Sequence, residues 1–371
     1  MKKNGFTYAQ IDLGAIAHNI AEIKKALKKG VKFMAVVKAD GYGHGAVEVS
    51  KAAVASGVDY LSVASFMEAI QLREAGVSAP ILILSESPLE FADDIVQNGL
   101  TQTVYTMRLA EALSKAANSA GKTAKVHLKV DTGMGRIGAF PHEAEGLLEK
   151  IKALPGVVVE GLFTHFAKAD DPSDPYTRHQ LSLFNDLIGK IEKKKYSIPL
   201  KHAANSAASL YYPDSHLDMV RIGLAMYGIS PGNVKSGIPL KSALSFKTKI
   251  MFSKRVPKGT KLSYGATYET PRETTIVTIP VGYADGFSRA LSNKAHVLIN
   301  GKRFPVAGRV CMDMTLVDVG DENLNIGDEV VLIGSQGDNH ISADEMARLC
   351  DTISYEVVCG IGKRVPRVYK K

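Results

Sequence analysis

The sequence has no tryptophan, only three cysteines and no apolar run near the ~20 residues that a membrane-spanning helix needs. The cysteines, Cys311, Cys350 and Cys359, are odd in number and lack the spacing of a metal site. Few, unpaired cysteines are typical of a reducing compartment. We therefore expect a cytoplasmic protein without structural disulfides, without a metal ion and without a membrane partner.

The N-terminal segment also lacks the features of an export signal. Met1–Gly5 is basic, but Asp12 and His18 interrupt the stretch in which a signal peptide would have its apolar core. The sequence contains no internal repeat and no low-complexity segment. These absences favour a globular protein that is not exported.

A basic balance alone does not indicate a nucleic-acid partner. The net charge is +8 over 371 residues, with lysine clusters at 24–25, 28–29 and 193–195. These clusters fall in segments with helical apolar spacing, and no aromatic residues are interleaved with them as a stacking surface requires. Solvated helix faces account for the lysines, so we expect no nucleic-acid partner.

The apolar pattern predicts a large α/β domain at the N-terminal end of the chain. Short β-like runs alternate with helical segments as far as about residue 235, which matches the strand count and length of a (β/α)8 barrel. A doubly wound sheet is disfavoured because Lys38–Gly43, after the first run, is not a dinucleotide-binding glycine turn. The eight runs are Phe33–Val37, Tyr60–Val63, Ile81–Leu84, Thr103–Tyr105, Lys125–Val130, Val157–Phe163, Ile198–His202 and Leu217–Val220.

The pattern changes beyond about residue 240. Stretches rich in β-branched residues follow one another, separated by Gly and Pro turns, which indicates a smaller, mostly β domain. We place the barrel at residues 1–237 and the C-terminal β-rich domain at 238–371. The predicted strands are Phe246–Phe252, Thr274–Val281, His296–Ile299, Thr315–Val319 and Glu329–Ile333.

Chemically active side chains follow the predicted barrel strands. The C-terminal ends of barrel strands form the active-site rim of such folds, so these side chains are expected at one rim. They are Lys38 after the first run, Lys129, Asp131 and Arg136 at or after the fifth, His165 after the sixth, Asn205 and Ser206 after the seventh, and Arg221, Ile222 and Gly223 after the eighth.

Lys38 stands out because it follows the apolar residues Ala35, Val36 and Val37. Desolvation lowers the pKa of a lysine in general, and a neutral amine is what Schiff-base formation with an aldehyde requires. Taken alone, a lysine in this position is more often one that extends from a strand end into solvent. The surrounding sequence decides between these interpretations.

The segment Ala35–Gly45 (AVVKADGYGHG) resembles the cofactor-attachment signature of the alanine racemase family. The family usually has Asn where this chain has Asp40, but that position is not one to which the family assigns catalysis. The resemblance covers nearly the whole chain. Further similar blocks are Val130–Gly138, Thr164–Ala167, His202–Ala208, Val220–Gly228, Ser263–Tyr268, Val281–Gly286, Gly308–Met314 and Ser354–Glu356.

The resemblance implies a pyridoxal-phosphate-dependent isomerase with two proton-transfer groups. Lys38 would hold the cofactor and move a proton on one face of the substrate, and Tyr264 would act on the opposite face. Two fixed groups can remove a proton from one face and return it to the other. Free lysine and tyrosine side chains have pKa values of about 10, so both roles depend on the surroundings.

The resemblance also implies which residues bind the cofactor. Arg221 would donate to the pyridine nitrogen, because arginine has no acceptor, and His165 would lie nearby and orient Arg221. A weaker electron sink should result, which favours reprotonation over transamination. The phosphate would be bound by Tyr42, Ser206 with its neighbour Asn205, the backbone of Ile222 and Gly223, and Tyr355.

Three further assignments concern the substrate and the assembly. Arg136 and the Met312 backbone resemble the contacts to the substrate carboxylate. Lys129 corresponds to a lysine that is often carbamylated in the family, where the new anion would hold Arg136. The family forms head-to-tail homodimers in which each active site uses both chains, and we expect the same here, with D-alanine supplied for peptidoglycan synthesis.

Other interpretations share part of this pattern. A racemase with a broader range, acting on serine or basic amino acids, would have the same motifs, although periplasmic versions generally have export signals. Fold-related amino-acid decarboxylases share the barrel and the cofactor but fit the motif around Tyr264 less well. A non-catalytic cofactor-binding carrier is the alternative outside enzymes, and such short proteins lack the β-rich domain.

Overall fold

The structure is a computed structural model that describes residues 5–232 and 237–370. It divides into two compact units. The barrel unit consists of Ile16–Gly41 and Ala46–Lys241, and the second unit consists of the chain up to Ala15, Tyr42–Gly45 and the chain from Ser242 onward. The division at Lys241/Ser242 lies four residues from the expected boundary of 237/238, and the second unit also includes N-terminal chain.

The barrel unit contains eight parallel strands in the order β8-β7-β6-β5-β4-β3-β2-β9. Backbone bonds from Asp218 N to Lys201 O and from Arg221 N to Ala204 O, both 3.0 Å, join β8 and β9 and complete the ring. The (β/α)8 prediction is confirmed. The strands are β2 (Lys32–Val36), β3 (Tyr60–Val63), β4 (Ile81–Ile83), β5 (Thr101–Val104), β6 (Ala124–Lys129), β7 (Val157–Phe163), β8 (Leu200–His202) and β9 (Met219–Ile222).

Helices connect these strands, and local sequence sets where they begin and end. Ser65 and Glu68 form a reciprocal capping box at the start of α4, and Gly121 ends α6 in the left-handed conformation. The helical segments are α1 (Leu13–Ala26), α2 (Lys38–Tyr42), α3 (Ala46–Ala55), α4 (Phe66–Glu74), α5 (Ala92–Gln97), α6 (Met107–Ala120), α7 (Pro141–Lys152), α8 (Tyr176–Lys193) and α9 (Ser206–Tyr211). Segment α2 is a short turn with left-handed backbone at residues 39–41 and not a right-handed α-helix.

The second unit is mostly β-structure, as predicted. Its largest sheet has the order β16-β15-β18-β10-β1-β20, with β19 paired to β18, beside a three-stranded sheet β11-β14-β17 and the pair β12-β13. The elements are β1 (Tyr8–Asp12), β10 (Leu244–Lys249), β11 (Phe252–Val256), β12 (Lys261–Leu262), β13 (Tyr268–Glu269), β14 (Thr274–Ile279), β15 (His296–Ile299), β16 (Lys302–Pro305), β17 (Thr315–Gly320), β18 (Glu329–Gln336), β19 (Asn339–Ile341), β20 (Arg367–Lys370), α10 (Ala343–Leu349) and α11 (Ser354–Cys359).

Strand β1 is the unexpected member of this sheet. Ala9 pairs with Phe246 of β10 on one side and with Arg367 of β20 on the other. Its alternating Ala9 and Ile11 are fully buried in the apolar core of the second unit. Five residues with two apolar positions give too weak a period to be recognised before a helix. The first strand therefore belongs to a sheet whose other strands all lie over 200 residues further along the chain.

Three further findings concern membranes, metals and thiols. Within residues 5–232 and 237–370, no helix combines the length and apolarity that crossing a membrane would require. The same residues contain no group of three or more His, Cys, Asp or Glu side chains placed to bind a metal ion. Among the same residues, Cys311, Cys350 and Cys359 form no disulfide bond.

Candidate active site

A left-handed turn directly follows Lys38 at the end of β2. Ala39, Asp40 and Gly41 have φ values of 51°, 52° and 61°, and Tyr42 continues at 53°. Left-handed conformation costs ordinary L-residues roughly 1–2 kcal/mol each, so such a turn persists only where surrounding contacts hold it. Nothing in the sequence pattern indicated this turn, although the glycines of the signature are compatible with it.

Hydrogen bonds from the barrel hold the turn. Asp40 Oδ1 accepts from Ala46 N at 2.8 Å, and Ala39 N donates to Glu68 Oε1 at 2.7 Å. Asp and Asn both tolerate left-handed backbone and both offer a side-chain oxygen acceptor. The Asp40 substitution relative to the family signature therefore preserves the contact that this position makes.

Arg221, in β9, is held through both terminal nitrogens. Nη1 donates to His202 Nδ1 at 2.9 Å and His202 O at 3.1 Å. Nη2 donates to the carbonyls of Thr164 at 2.8 Å and Ala203 at 2.9 Å, and to His165 Nδ1 at 3.2 Å. Burial lowers the pKa of Arg221 to about 9, so it stays charged at neutral pH. Nε–H donates to no described residue and is left for a ligand.

Positive charges gather around Lys129 at the end of β6. Burial, followed by the charges of Arg221 and Arg136, lowers the pKa of Lys129 to about 7, although Asp131 opposes this. Its Nζ lies 4.6 Å from the centre of the Phe163 ring. About half of this amine is therefore neutral at pH 7.

His165 lies in the same electrostatic surroundings. Burial and then the charge of Arg221 hold the pKa of His165 well below its usual range. Because arginine can only donate, Nδ1 of His165 accepts the bond from Arg221, and the imidazole is neutral. The expected pairing of His165 with Arg221 is present in the structure.

The loop after β6 presents Arg136. Asp131 Oδ1 accepts from Gly133 N at 2.9 Å and Gly135 N at 3.1 Å, which fixes the backbone just before Arg136. The Arg136 side chain is exposed and makes no hydrogen bond or ion pair with the described part of the chain. Its fixed base and unused donors suit capture of a carboxylate.

Ser206 and Gly223 meet where the phosphate is expected. Gly223 N lies 2.9 Å from Ser206 Oγ, which accepts its hydrogen bond. Asn205 caps α9 instead, with Oδ1 accepting from Ala208 N at 2.9 Å. Ile222 belongs to β9 and pairs with Ala35 of β2. The structure thus brings Ser206 and Gly223 together, whereas the Asn205 side chain has a structural partner of its own.

In the second unit, two tyrosines lie side by side. The rings of Tyr42 and Tyr355 have centroids 6.0 Å apart and are tilted by 46°. Burial and then the proximity of Tyr355 raise the pKa of Tyr42, so its hydroxyl stays protonated. Gly43 allows this approach, because a Cβ there would lie 2.2 Å from Val358 O.

Tyr264 stands on a tight turn of the second unit and is 71% exposed. Ser263, Gly265 and Ala266 all have positive φ, at 61°, 72° and 49°. Ser263 Oγ donates to Arg309 O at 2.6 Å, which ties the turn to the loop that contains Met312. Main-chain geometry, and not side-chain packing, therefore fixes Tyr264.

Met312 lies on a loop joined to the segment 282–286. Ala284 N donates to Met312 O at 3.1 Å. Arg364 links the two loops: Nε donates to Asp285 Oδ1 and Nη2 to Asp313 Oδ1, both at 2.7 Å. The side chains at this surface are large and exposed; they are Tyr264, Tyr283, Met312 and Met314.

Comparison with known proteins assigns this arrangement. Residues 11–231 match the family model "Alanine racemase, N-terminal domain" and residues 243–369 match "Alanine racemase, C-terminal domain". The chain belongs to the alanine racemase family. It is 46% identical over 366 residues, covering 98% of this chain and 94% of the relative, to "Alanine racemase 2" of Caldanaerobacter subterraneus subsp. tengcongensis.

Solved structures of the family have the same fold. Alanine racemase of Clostridium difficile 630 gives a TM-score of 0.94 at 41% identity, covering 100% of this chain and 97% of that one. The Bacillus anthracis enzyme with bound L-Ala-P also gives 0.94, at 38% identity, covering 100% and 96%. Alanine racemases use pyridoxal phosphate, so the chain is a pyridoxal-phosphate-dependent isomerase, as the sequence predicted.

The residues present fit this cofactor. The unused Nε–H of Arg221 offers a donor to a ring nitrogen, and the Ser206 hydroxyl, whose oxygen accepts from Gly223 N, still has its own O–H to donate to a phosphate. The sequence analysis gave no role to two histidines inside the barrel, His127 and His202, although His202 begins one of the family blocks. Both lie within strands, where a histidine is usually part of the core. Only the three-dimensional structure shows that His202 accepts a hydrogen bond from Arg221.

Proposed function

We propose that the protein interconverts L-alanine and D-alanine, with Lys38 and Tyr264 transferring the proton on opposite faces of the substrate. The main support is the buried Arg221, whose Nε–H makes no hydrogen bond with a described residue and can therefore bind a ligand. The same unit contains Lys38 and the Ser206–Gly223 pair. The names of relatives that are 44–47% identical over nearly the whole chain support alanine as the substrate.

Each proposed residue has one task. When bound, pyridoxal phosphate acidifies the Cα–H bond of an amino acid by withdrawing electrons from it. Lys38 Nζ takes or gives a proton at that carbon on one face, and the Tyr264 hydroxyl does so on the other. Arg136 binds the substrate carboxylate together with the Met312 backbone, because a guanidinium matches a carboxylate with two hydrogen bonds.

Arg221 sets the chemical character of the site. It remains charged and can only donate, so a ring nitrogen opposite it must accept and stay unprotonated. His165 and His202 hold the guanidinium in place. We infer that this arrangement favours return of the proton to the α-carbon over transamination.

Lys129 is proposed to react with carbon dioxide to form a carbamate. Its buried amine, with a pKa of about 7, is largely neutral at mildly basic pH, and only a neutral amine adds carbon dioxide. A bond forms between Nζ and the carbon of carbon dioxide, Nζ loses one proton to water, and the product anion would replace a disfavoured buried cation by a partner for Arg136. The surrounding positive charges support this proposal.

We further propose a homodimer in which each active site uses both chains. The exposed residues Tyr264, Tyr283, Met312 and Met314 form an apolar surface on the second unit, of the kind that marks an interaction site. A catalytic tyrosine that is 71% exposed needs a partner surface to exclude water from its hydroxyl. A second copy of this chain meets that need.

The first experiment tests the reaction. Purified protein is incubated with L-alanine and pyridoxal phosphate, and D-alanine is quantified by chiral chromatography, with Lys38→Ala as the control. We expect the two enantiomers to approach equal amounts with the parent and no D-alanine with the control. A folded, cofactor-loaded parent that makes none contradicts alanine as substrate, and serine, lysine and arginine are then tested.

The second experiment tests the shared sites. Lys38→Ala and Tyr264→Phe subunits are mixed under conditions where labelled subunits are shown to exchange. A heterodimer with shared sites has one intact site, so we expect partial recovery of activity. No recovery after confirmed exchange contradicts the proposal. The expected location is the cytoplasm, supported by three cysteines that form no disulfide among the described residues, and the expected role is supply of D-alanine for peptidoglycan synthesis.

A further inference from the structure

A line of hydrogen bonds leads from Arg221 through the inside of the barrel, and no predicted role uses it. Arg221 Nη1 donates to His202 Nδ1 at 2.9 Å, and His202 Nε2 lies 2.9 Å from His127 Nδ1. His127 Nε2 lies 3.4 Å from Glu160 Oε2. Tyr60 donates to the same oxygen at 2.7 Å.

The direction of every bond in this line is determined by its first member. Arginine has no acceptor, so His202 Nδ1 must accept, and a neutral His202 then has its proton on Nε2. That proton is donated to His127 Nδ1, which leaves the proton of His127 on Nε2. His127 therefore donates to Glu160, and both imidazoles have the same Nε2–H tautomer.

The charges agree with this assignment. Burial, followed by the charge of Arg221, holds the pKa of His202 well below its usual range, and burial also lowers the pKa of His127. Burial alone would raise the pKa of Glu160, but hydrogen bonds from His127, Tyr60 and Lys125 lower it to about 2. The line thus joins a cation to a carboxylate through two neutral rings.

The barrel interior is shaped around the two rings. A Cβ at Gly161 would lie 2.5 Å from His127 Nδ1, so a glycine is required beside that ring. Phe163 stacks on His202 with a centroid distance of 4.7 Å and an interplanar angle of 4°. The rings cannot rotate without displacing these neighbours.

Arg221 has no carboxylate partner of its own among residues 5–232 and 237–370. Apart from His202, its acceptors are the carbonyls of Thr164 and Ala203 and the imidazole of His165. Glu160 is the carboxylate that it reaches, and it does so through the two histidines. A buried cation without a nearby anion is otherwise unfavourable.

We propose that Glu160 is a positioning residue for Arg221 and acts by holding His127 and His202 in their Nε2–H tautomers. Without the Glu160 carboxylate as acceptor, the Nδ1–H tautomers of His127 and His202 compete with the Nε2–H tautomers. Reversal places an Nδ1–H of His202 against the N–H of Arg221, so that two donors face each other and the guanidinium moves. The inference rests on the proposed function in one respect, which is that Arg221 faces the cofactor.

The test reads the tautomers directly and does not depend on turnover. The full-length protein is labelled with ¹⁵N-histidine, and its ring nitrogens are observed by NMR, with His127→Gln and His202→Gln providing the assignments. In the parent we expect both histidines to have a protonated Nε2 and an unprotonated Nδ1. In Glu160→Gln we expect mixed tautomers at both rings and a turnover reduced about 10- to 100-fold.

Two variants sharpen this test. Glu149→Gln is the matched control, because Glu149 is an exposed carboxylate paired with Lys194 at 2.7 Å, and it should change neither tautomers nor turnover. Tyr60→Phe removes one donor to Glu160 but keeps the charge and the fold, so a smaller tautomer change is expected.

Two outcomes overturn the proposal: an Nδ1–H tautomer at His202 in the parent, or unchanged tautomers in both the Glu160→Gln and Tyr60→Phe proteins. A parent with the expected tautomers but no alanine racemisation supports the line of hydrogen bonds and contradicts the proposed function instead. The two failures are therefore distinguishable.

Discussion

In the barrel, Arg221 is 4% exposed and bonded through both terminal nitrogens, whereas in the second unit Tyr264 is 71% exposed on a three-residue turn. The first is positioned by other side chains, and the second by strained backbone at Ser263 and Ala266. Substitution of a residue that is held by buried side chains should lower both activity and stability. Substitution of a residue that is held by a turn should lower activity but leave stability unchanged.

The largest expected effect is on the exposed side. Tyr264→Phe should lower kcat by a factor of about 10²–10⁴, the usual contribution of a general acid–base group. Its thermal midpoint should stay unchanged because the hydroxyl makes no hydrogen bond within the described part of its own chain, in which Tyr264 is 71% exposed. Steady-state kinetics and calorimetry check both parts, with Tyr196→Phe as control. A large drop in the midpoint would show that Tyr264 is structural.

The next effect belongs to the barrel. Arg221→Met leaves the buried acceptors of His202, His165, Thr164 and Ala203 without their donor at about 1–3 kcal/mol each, so the free energy of unfolding should fall by about 3–5 kcal/mol in total. Urea denaturation measures this change. Arg178→Met, at an exposed arginine stacked on Tyr212, should cost less than about 1 kcal/mol. Equal losses in the two variants would refute the distinction between the two kinds of positioning.

Asp285→Asn tests whether the exposed loops have any buried support. Asp285 is 6% exposed and accepts from Arg364 and from Gly282 N. Replacing its charge by an amide should cost about 1.5–3 kcal/mol in urea denaturation, because a hydrogen bond to a charged group is lost. Asp338→Asn, an exposed loop position, is the control. An unchanged free energy of unfolding would mean that Asp285 does not stabilise these loops.

A smaller change in the barrel tests the space around His127. Gly161→Ala places a Cβ against that ring and should destabilise the protein by about 1–3 kcal/mol, the usual range for overpacking. Gly146→Ala, in helix α7 with open space around it, should instead stabilise by about 0.5–1 kcal/mol. Opposite signs in thermal denaturation are expected, and the same sign would contradict the packing argument.

The smallest effect concerns Lys129. With a pKa of about 7, its neutral fraction rises roughly twofold between pH 7 and pH 8 and falls steeply below pH 7, since protonation removes the reactive lone pair. The ¹³C NMR signal of a carbamate formed with labelled bicarbonate should follow this curve and vanish in Lys129→Met. A signal that survives this substitution comes from another amine.

The sequence predicted the strand pattern of both units and most of the residues that the structure brings together. Strands β7 and β15 have the predicted bounds because a glycine turn adjoins each of them, with Gly156 before β7 and Gly301 after β15. Lys38, Arg221 and Ser206 were recognised because they end strands, where a barrel concentrates its chemistry.

Other features depend on distant partners and could not be predicted. The role of His127 and His202 depends on the 2.9 Å hydrogen bond between His127 Nδ1 and His202 Nε2, which joins residues 75 positions apart in the sequence. The left-handed turn at Ala39 and Asp40 contradicts local preference and is held by Glu68, 29 residues away. In each case tertiary contacts override what the neighbouring residues favour.

The place of β1 in its sheet has a consequence for synthesis on the ribosome. Its partner β10 is made about 230 residues later, and at 5–20 residues per second this strand waits about 10 to 50 s with both edges unpaired. Nearly all of this interval is spent on the barrel sequence, which ends at Lys241, shortly before β10. Strand β20 (Arg367–Lys370), which pairs with the other edge of β1, is made later still, so the second unit matures after the barrel although its first strand is made before it.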